Sequence, residues 1–330
     1  MKRRVIGIAI LFIFAMMGCD DSFSPKAPFQ PGMVIYSVLS AESDTQFVRI
    51  YSTYDSPNND PTTNLDEKPV TDATVTISDG ATTYALRDTV IPRPDKSRYL
   101  RDIHAYYVYP FRPQPNRTYK LLASSPVNGA AEATLKMPGH GSISVLSPSL
   151  LADPWFGEGS YVSVQLGISP NTKGFRVLFF VEYEGFGAKG WEVHRREVPA
   201  SMITVNCLYL EYAISFPKVV GRLTPLGRSG FEGYAFGRFA YRRSVEIIRG
   251  SYYDIRFRNA VFYLIQFDEN LYNNYQTANA YQDRYSTRLD ERDFTNVKDG
   301  LGVFGGFTVD SLYYQIPQGM RPSGDVDPCR

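Results

Sequence analysis

The sequence VFYLIQF, at residues 261–267, is the run of this chain that looks most deeply buried. A second apolar run, GFRVLFFVEYE at residues 174–184, is longer and has few polar interruptions. Continuous runs of β-branched and aromatic residues are typical of strands that are covered on both faces. The two segments therefore predict central strands of a β-sheet.

Shorter segments with strand-like patterns lie on both sides of these runs. They occupy residues 33–39, 45–51, 73–78, 82–87, 118–124, 131–136, 161–168, 191–198, 205–216 and 231–241, and a longer segment at residues 252–267 contains the first apolar run. The dipeptides Asp79-Gly80 and Asn128-Gly129 are typical of the hairpin turns between such strands. Together with 24 tyrosines and 21 phenylalanines, this pattern predicts an all-β fold.

One segment predicts a short helix instead. Residues 268–280 (DENLYNNYQTANA) begin with Asp268, a suitable N-cap, and place Leu271, Tyr275 and Ala278 at helical spacing. Residues 300–314 (GLGVFGGFTVDSLYY) then predict a glycine-rich turn followed by the last strand.

Residues 137–141 (MPGHG) interrupt the strand pattern and mark the predicted domain boundary. We expect residues 33–138 to form a β-sandwich of the immunoglobulin or carboxypeptidase-regulatory type. We expect residues 139–316 to form a second β-rich domain that contains the one short helix, and residues 317–330 to form a tail. Such sandwiches serve many functions, so the fold class alone indicates none.

The N-terminus, MKRRVIGIAILFIFAMMGCDD, has the composition of a secretion signal. Three basic residues precede an uncharged apolar run at residues 5–17, which is shorter than the about 20 residues that span a bilayer. Gly18-Cys19 then resembles the lipobox of bacterial lipoproteins, although Met16 stands where the usual pattern has leucine. The resemblance implies removal of residues 1–18 and acylation of Cys19. An ordinary secretory peptide cleaved elsewhere, or a short uncleaved anchor, is the alternative.

The residues after the cysteine bear on localisation. Asp20 and Asp21 resemble the surface-export signal of Bacteroidota lipoproteins, whereas in some other bacteria aspartate at this position retains a lipoprotein in the inner membrane. Residues 19–32 contain three prolines and predict an extended tether. We expect a lipid-anchored outer-membrane protein, and we prefer the cell surface to the periplasmic face.

Charge and cysteine content limit the function further. The chain has 35 basic and 34 acidic side chains, a balance that argues against a nucleic-acid partner. Cys207 and Cys329 either form a disulfide or are a buried and a free thiol. The sequence has no Cys-x-x-Cys pair and no Cys/His cluster, so neither a metal site nor a cofactor is predicted.

The segment RDFTNVKDGLGVFG, at residues 292–305, resembles a phrase of one Bacteroidota lipoprotein family, the domain of unknown function numbered four-two-four-nine. The matching residues are Asn296, Val297, Gly300, Gly302, Val303, Phe304 and Gly305. Family members combine a lipobox with a β-sandwich and a second β-rich domain, and they are often encoded beside TonB-dependent outer-membrane receptors. The resemblance implies a cell-envelope assembly or uptake role and supplies no catalytic residue.

The same glycines formally match G-x-G-x-x-G, the dinucleotide fingerprint. A polar loop precedes them and a β-like run follows, whereas the fingerprint needs a strand before it and a helix after it. We therefore expect the glycines to allow positive φ and close packing, with Val303 and Phe304 in the core.

The leading hypothesis is a non-enzymatic partner of a TonB-dependent receptor, or a protein that binds a glycan or peptide ligand for it. The predicted interaction surface is a platform of exposed tyrosines around the helix. These are Tyr272, Tyr275, Tyr281 and Tyr285, with Tyr106, Tyr107 and Tyr109 as the alternative set. A surface glycan hydrolase with two facing carboxylates is one competing hypothesis, and a structural adhesin or scaffold is another.

Overall fold

The structure, a computed structural model, describes residues 29, 31–54, 67–97, 99–152, 161–199, 201–205, 208–212, 218–219, 231–279 and 294–317. Within these ranges the first eight strands are β1 (Met33–Ser40), β2 (Gln46–Ser52), β3 (Thr74–Ser78), β4 (Thr83–Ala85), β5 (Arg87–Ile91), β6 (Ile103–Val108), β7 (Thr118–Ser125) and β8 (Gly129–Lys136). The later strands are β9 (Ser142–Val145), β10 (Tyr161–Gly167), β11 (Gly174–Gly187), β12 (Gly190–Val198), β13 (Ser201–Val205), β14 (Leu208–Tyr212), β15 (Lys218–Val219), β16 (Phe231–Gly237), β17 (Ile255–Phe267), β18 (Val297–Lys298) and β19 (Gly300–Gln315). The helices are α1 (Pro148–Ala152), α2 (Arg238–Ser251) and α3 (Glu269–Asn279).

A nine-stranded sheet is the main layer of the molecule. Its order is β12-β11-β17-β19-β1-β2-β6-β5, with β15 paired to β11 at the side. The two apolar runs that predicted central strands lie in β11 and β17, which pair along most of their length. Strand β19 pairs antiparallel with β17 and parallel with β1. The large sheet therefore contains strands from both sides of residue 138, and the domain division proposed there remains a prediction.

Two smaller sheets cover the large one and enclose two hydrophobic cores. The five-stranded sheet β18-β8-β7-β3-β4 and the three-stranded sheet β16-β10-β9 are separate, as is the hairpin β13-β14. The first core includes Ile35, Ile50, Ile77, Leu121, Leu135 and Phe304. The second core includes Val164, Phe179, Phe236, Tyr241 and Phe262. Each core thus contains side chains of the large sheet and of one smaller sheet.

The predicted all-β class is confirmed, and the predicted hairpins β3-β4 and β7-β8 are present. The predicted helix at residues 268–280 is α3, but the described residues contain two further helices. The predicted strand at residues 231–241 ends at Gly237, where α2 begins. The physical reason is that Ala240, Tyr241, Val245 and Ile248 recur at helical spacing and bury one face of α2.

The glycine-rich segment also differs from its prediction, because residues 300–315 form one strand and the turn lies before them, at Asp299. Gly302 makes this possible: its φ is +108°, and a Cβ atom added there would lie 2.0 Å from the carbonyl oxygen of Ile35. Glycine is the residue that tolerates both the positive φ and this close approach. The segment therefore brings β19 tightly against β1.

Candidate functional site

The outer face of the large sheet over β1 and β2 presents the side chains of the candidate site. Side chains alternate along a strand, so Ile35 faces the first core while its neighbours face outward. Val34 lies opposite Tyr51, and Tyr36 lies opposite Arg49. Two tyrosines and an arginine are thereby placed side by side on an outward face.

These strands border a cavity of about 510 Å³, which we call the tyrosine pocket. It is lined by Val34, Tyr36, Arg49, Tyr51, Ser52, Thr53, Tyr54, Glu67, Lys68 and Tyr99. Small-molecule sites are typically about 300–1,000 Å³ and combine apolar walls with a few polar groups. Tyr36 is 47 % exposed, so a ligand has access to its ring. The pocket has the size and the composition of a ligand site.

Positive charge exceeds negative charge in the tyrosine pocket. The Oε1 atom of Glu67 is 3.5 Å from Nη2 of Arg49, and its Oε2 atom accepts a hydrogen bond from Nη2 of Arg93. Lys68 adds a second cation to the lining, and Glu67 is the single carboxylate among the described lining residues. The described part of the pocket is therefore net positive.

Tyrosines hold the two arginines in place. The guanidinium carbon of Arg49 lies 5.1 Å from the centre of the Tyr51 ring, and its Nε donates to the Tyr51 hydroxyl at 2.8 Å. The guanidinium carbon of Arg93 lies 5.3 Å from the centre of the Tyr99 ring. Exposed cation–π contacts contribute about 0.5–1 kcal/mol each. The cations are therefore oriented by the protein before any ligand arrives.

A second cavity, of about 370 Å³, lies at the start of helix α3 and includes Asp268 in its lining. The predicted N-cap at Asp268 is confirmed: Oδ1 accepts hydrogen bonds from the backbone N–H groups of Leu271 and Gly306, both at 3.0 Å. Asp268 is 2 % exposed, and this burial raises the pKa of its carboxyl to about 6 although the backbone donors act in the opposite direction. The carboxyl joins α3 to β19, which is a structural role.

The predicted tyrosine platform on α3 is wrong for Tyr272. Its side chain is 5 % exposed and packs with Phe267 and Leu271, because this face of α3 lies on the sheet. Tyr275 is 39 % exposed, and its ring centre is 5.5 Å from that of Phe267. In the alternative set, Tyr106 is buried and donates its hydroxyl proton to the carbonyl oxygen of Val70 at 2.8 Å. Neither predicted set therefore forms an exposed platform as a whole.

Several predicted residues lie outside the part of the chain that the structure describes. They are Cys19, Asp20, Asp21, Cys207, Tyr281, Tyr285 and Cys329. Lipidation, sorting and the disulfide therefore stay predictions.

The residues of the family phrase shape the entry of the chain into β19. The side chain of Asn296 binds both backbone groups of Phe304, accepting from its N–H at 2.9 Å and donating to its carbonyl oxygen at 2.8 Å. Val297, Val303 and Phe304 are buried. A Cβ atom on Gly305 would lie 2.8 Å from the Cβ atom of Leu271 on helix α3. Gly300 stands at the first position of β19, opposite Met33.

The carboxylates of β11 bear on the hydrolase hypothesis. Glu182 is 6 % exposed and accepts hydrogen bonds from Arg195 at 2.9 Å and from Asn259 at 2.8 Å. Burial acts to raise the pKa of Glu182, but these hydrogen bonds and the charges of Arg195 and Arg258 outweigh it, so the pKa is lowered. A general acid needs a raised pKa. Glu182 therefore does not suit that role, and glycan hydrolysis stays a hypothesis.

The tyrosine pocket was missed by the sequence predictions. Tyr36, Arg49 and Tyr51 lie in predicted strands, and their alternation with apolar residues was the available signal for a shared outward face. Glu67 and Tyr99 lie far away in sequence. No local pattern indicated that they would meet the two strands.

The described residues contain no group of three or more His, Cys, Asp or Glu side chains that could hold a metal ion. Within the same ranges, no helix is both long and apolar enough to cross a membrane.

None of the curated proteins matches the chain. A family model described as a domain of unknown function (DUF4249) matches residues 20–312, which is most of the sequence. The chain therefore belongs to this DUF4249 family, the one that the segment at residues 292–305 resembles.

Proposed function

We propose that this chain is a lipid-anchored protein of the bacterial cell envelope that binds a glycan in the tyrosine pocket. In this proposal it serves as a non-enzymatic accessory of a TonB-dependent receptor in the outer membrane. The lipobox-like Gly18-Cys19 pair supports the anchor. Asp20 and Asp21 support placement at the cell surface, and the resemblance that implies a neighbouring receptor supports the partner.

The observation that carries the ligand-binding role is the tyrosine pocket itself. Tyrosine rings present flat apolar faces that pack against the C–H faces of sugar rings. Ser52, Thr53 and Arg49 supply hydrogen-bonding groups in the same lining. Glu67 forms ion pairs with Arg49 and Arg93. A carboxylate that holds two cations in place is suited to ligand binding rather than to acid catalysis.

The test is a glycan-binding assay on the purified full chain with Tyr36→Ala as the main variant. We expect this variant to lose roughly tenfold or more in affinity for any glycan that binds the native protein, because it removes an exposed ring from the pocket. Tyr253→Ala is the matched control, since Tyr253 is fully exposed and lies outside the pocket lining. Equal affinities of the two variants would contradict a binding role for the pocket.

The envelope role has its own test. Mass spectrometry should find acyl chains on the native protein and none on Cys19→Ser, since this substitution removes the acylated thiol. A TonB-dependent receptor should co-purify with the native protein from solubilised outer membranes. A native protein without an acyl group would contradict the lipid anchor. A native protein that purifies without any receptor would contradict the receptor partnership.

A further inference from the structure

We infer that the ligand of the tyrosine pocket is an acidic oligosaccharide, whose sugar rings lie on the tyrosines and whose anionic group binds Arg49 and Lys68. The inference rests on the proposed glycan-binding role of the pocket and specifies its ligand class. Carboxylate and sulfate substituents share the required chemistry, because each offers negatively charged oxygen atoms to cationic donors.

The position of the pocket in the sheet favours a glycan over an extended peptide. Peptides that bind to sheets commonly add a strand to an edge, where backbone N–H and C=O groups are unpaired. Strand β1 is paired on both sides, with β19 and β2, and β2 is paired with β1 and β6. A ligand over β1 and β2 therefore meets side chains, and its recognition depends on rings and charges.

The arrangement of the rings fits a ligand with flat faces. Tyr36 and Tyr51 project from neighbouring strands on the same side of the sheet, opposite Arg49 and Val34 respectively. Tyr36 and Tyr51 are therefore diagonal neighbours, and such side chains stand about 7–8 Å apart on one face. Adjacent sugar units can therefore contact adjacent side chains along the floor of the pocket.

The charge of the described lining residues favours an anionic ligand. Among them Glu67 is the single carboxylate and is shared by Arg49 and Arg93, and the exposed side chain of Lys68 adds a further positive charge. A cation beside a pocket is stabilised when a ligand anion approaches it, and the contact is strongest in the partly desolvated space of a cavity. A neutral glycan would leave this excess charge without a counterpart in the bound state.

The test compares three probes on the full chain by isothermal titration calorimetry. They are a hexameric oligogalacturonate, the same oligosaccharide after reduction of its carboxylates, and a sulfated form of the reduced oligosaccharide. We expect the acidic probes to bind at least about tenfold more tightly than the reduced one, with a preference that shrinks as salt is raised. The carboxylated and sulfated arms identify which anionic group the site takes.

Two variants assign the effect to the pocket. Lys68→Gln should remove most of the preference for the acidic probes over the reduced probe. Tyr36→Ala should weaken all three probes. Lys189→Gln is the matched control, because Lys189 is exposed in the turn between β11 and β12 and lies outside the pocket lining.

The outcomes separate this inference from the proposed function. Equal affinity for the acidic and the reduced probes, both lost in Tyr36→Ala, would overturn the acidic ligand and keep the glycan-binding role. No binding of any of the three oligosaccharide probes would overturn both. Binding that Tyr36→Ala and Lys68→Gln leave unchanged would also overturn both.

Discussion

The two hydrophobic cores of this chain use the same large sheet but are built from different side chains. The first core is mainly aliphatic and lies between two sheets. The second contains a cluster of rings, in which Phe179 and Phe262 are stacked with centres 4.5 Å apart, and it is also covered by the apolar face of α2. The second core therefore combines sheet-on-sheet with helix-on-sheet packing, and its aromatic pairs contribute about 0.5–1.5 kcal/mol each beyond their buried area.

The difference shows the importance of the strand that contributes to both cores. Strand β19 supplies Phe304 to the first core and, further along, packs Leu312 and Tyr314 against the second. The two cores are therefore unequal in composition but coupled through one continuous strand. Three predictions test the contacts that β19 makes and the coupling of the two cores through it.

The largest effect is expected at the point where β19 meets β1. Gly302→Ala places a Cβ atom 2.0 Å from the carbonyl oxygen of Ile35 and forces alanine into a φ of +108°. The strain of the backbone and the overpacking together should cost roughly 5 kcal/mol of unfolding free energy. Denaturant unfolding followed by circular dichroism measures this loss.

Gly187→Ala is the control for that substitution. An added Cβ atom at Gly187 meets no atom within 4 Å, and its φ is not in the positive range. We expect a change below about 0.5 kcal/mol. Similar losses in the two variants would contradict the assigned role of the β1–β19 contact.

A second pair of substitutions compares the cores directly. Phe262→Ala should cost about 4 kcal/mol and Leu121→Ala about 3 kcal/mol, since both remove fully buried side chains. Because β19 joins the cores, we expect each variant to lower the midpoint of one common unfolding transition in calorimetry. Leu122→Ala, at a position 44 % exposed on the same strand as Leu121, should change it little. Two separate transitions, each moved by one substitution, would refute the coupling.

The smallest of the three effects concerns Asp268, which ties α3 to β19. Its carboxyl has a pKa of about 6 in the folded protein against an ordinary 3.8, mainly because of burial. The folded protein therefore keeps a proton that the unfolded chain loses, and this group's contribution to stability falls as pH rises from about 4 to about 6. The expected loss across this window is about 2–3 kcal/mol.

Asp268→Asn should remove that pH dependence, because the amide does not ionise and its oxygen still accepts from Leu271 and Gly306. Urea unfolding at pH 4, 5, 6 and 7 measures the difference between the variant and the native protein. Glu197→Gln is the control, since the Glu197 side chain is exposed on β12 and does not contact Asp268. If the difference in unfolding free energy between Asp268→Asn and the native protein stays constant with pH, the buried carboxyl is not the source of the pH dependence.

Most strands and their hairpins were predictable because their signals are local. Alternation such as that at residues 73–78 fixes which side chains face inward, and the turn Asp79-Gly80 fixes the partner. Helix α2 is not predicted although its sequence contains the signal, because the apolar pattern of the strand before Gly237 continues into Ala240 and Tyr241. The helical spacing becomes clear only when Val245 and Ile248 are included.

The pairing of β1 with β19 and the tyrosine pocket were not predictable in the same way. Both depend on segments that are distant in sequence, and periodicity within a segment does not specify its partner. The tyrosines around α3 show the converse error: their helical position was right, but burial of Tyr272 depends on which face of the helix meets Phe267. The local sequence pattern predicts the secondary-structure element, whereas the contacts between elements determine which side chains remain exposed to a ligand.

The parallel pairing of β1 with β19 determines the order in which parts of the fold can form. Strand β1, the first of the described strands, receives one of its two neighbours only when β19, the last of them, has been synthesised. Contacts this distant in sequence form late and slow folding. The first core, which lacks Phe304 until then, is completed only after β19 has been synthesised. A folded first core is thus a sign that the polypeptide has been produced through β19.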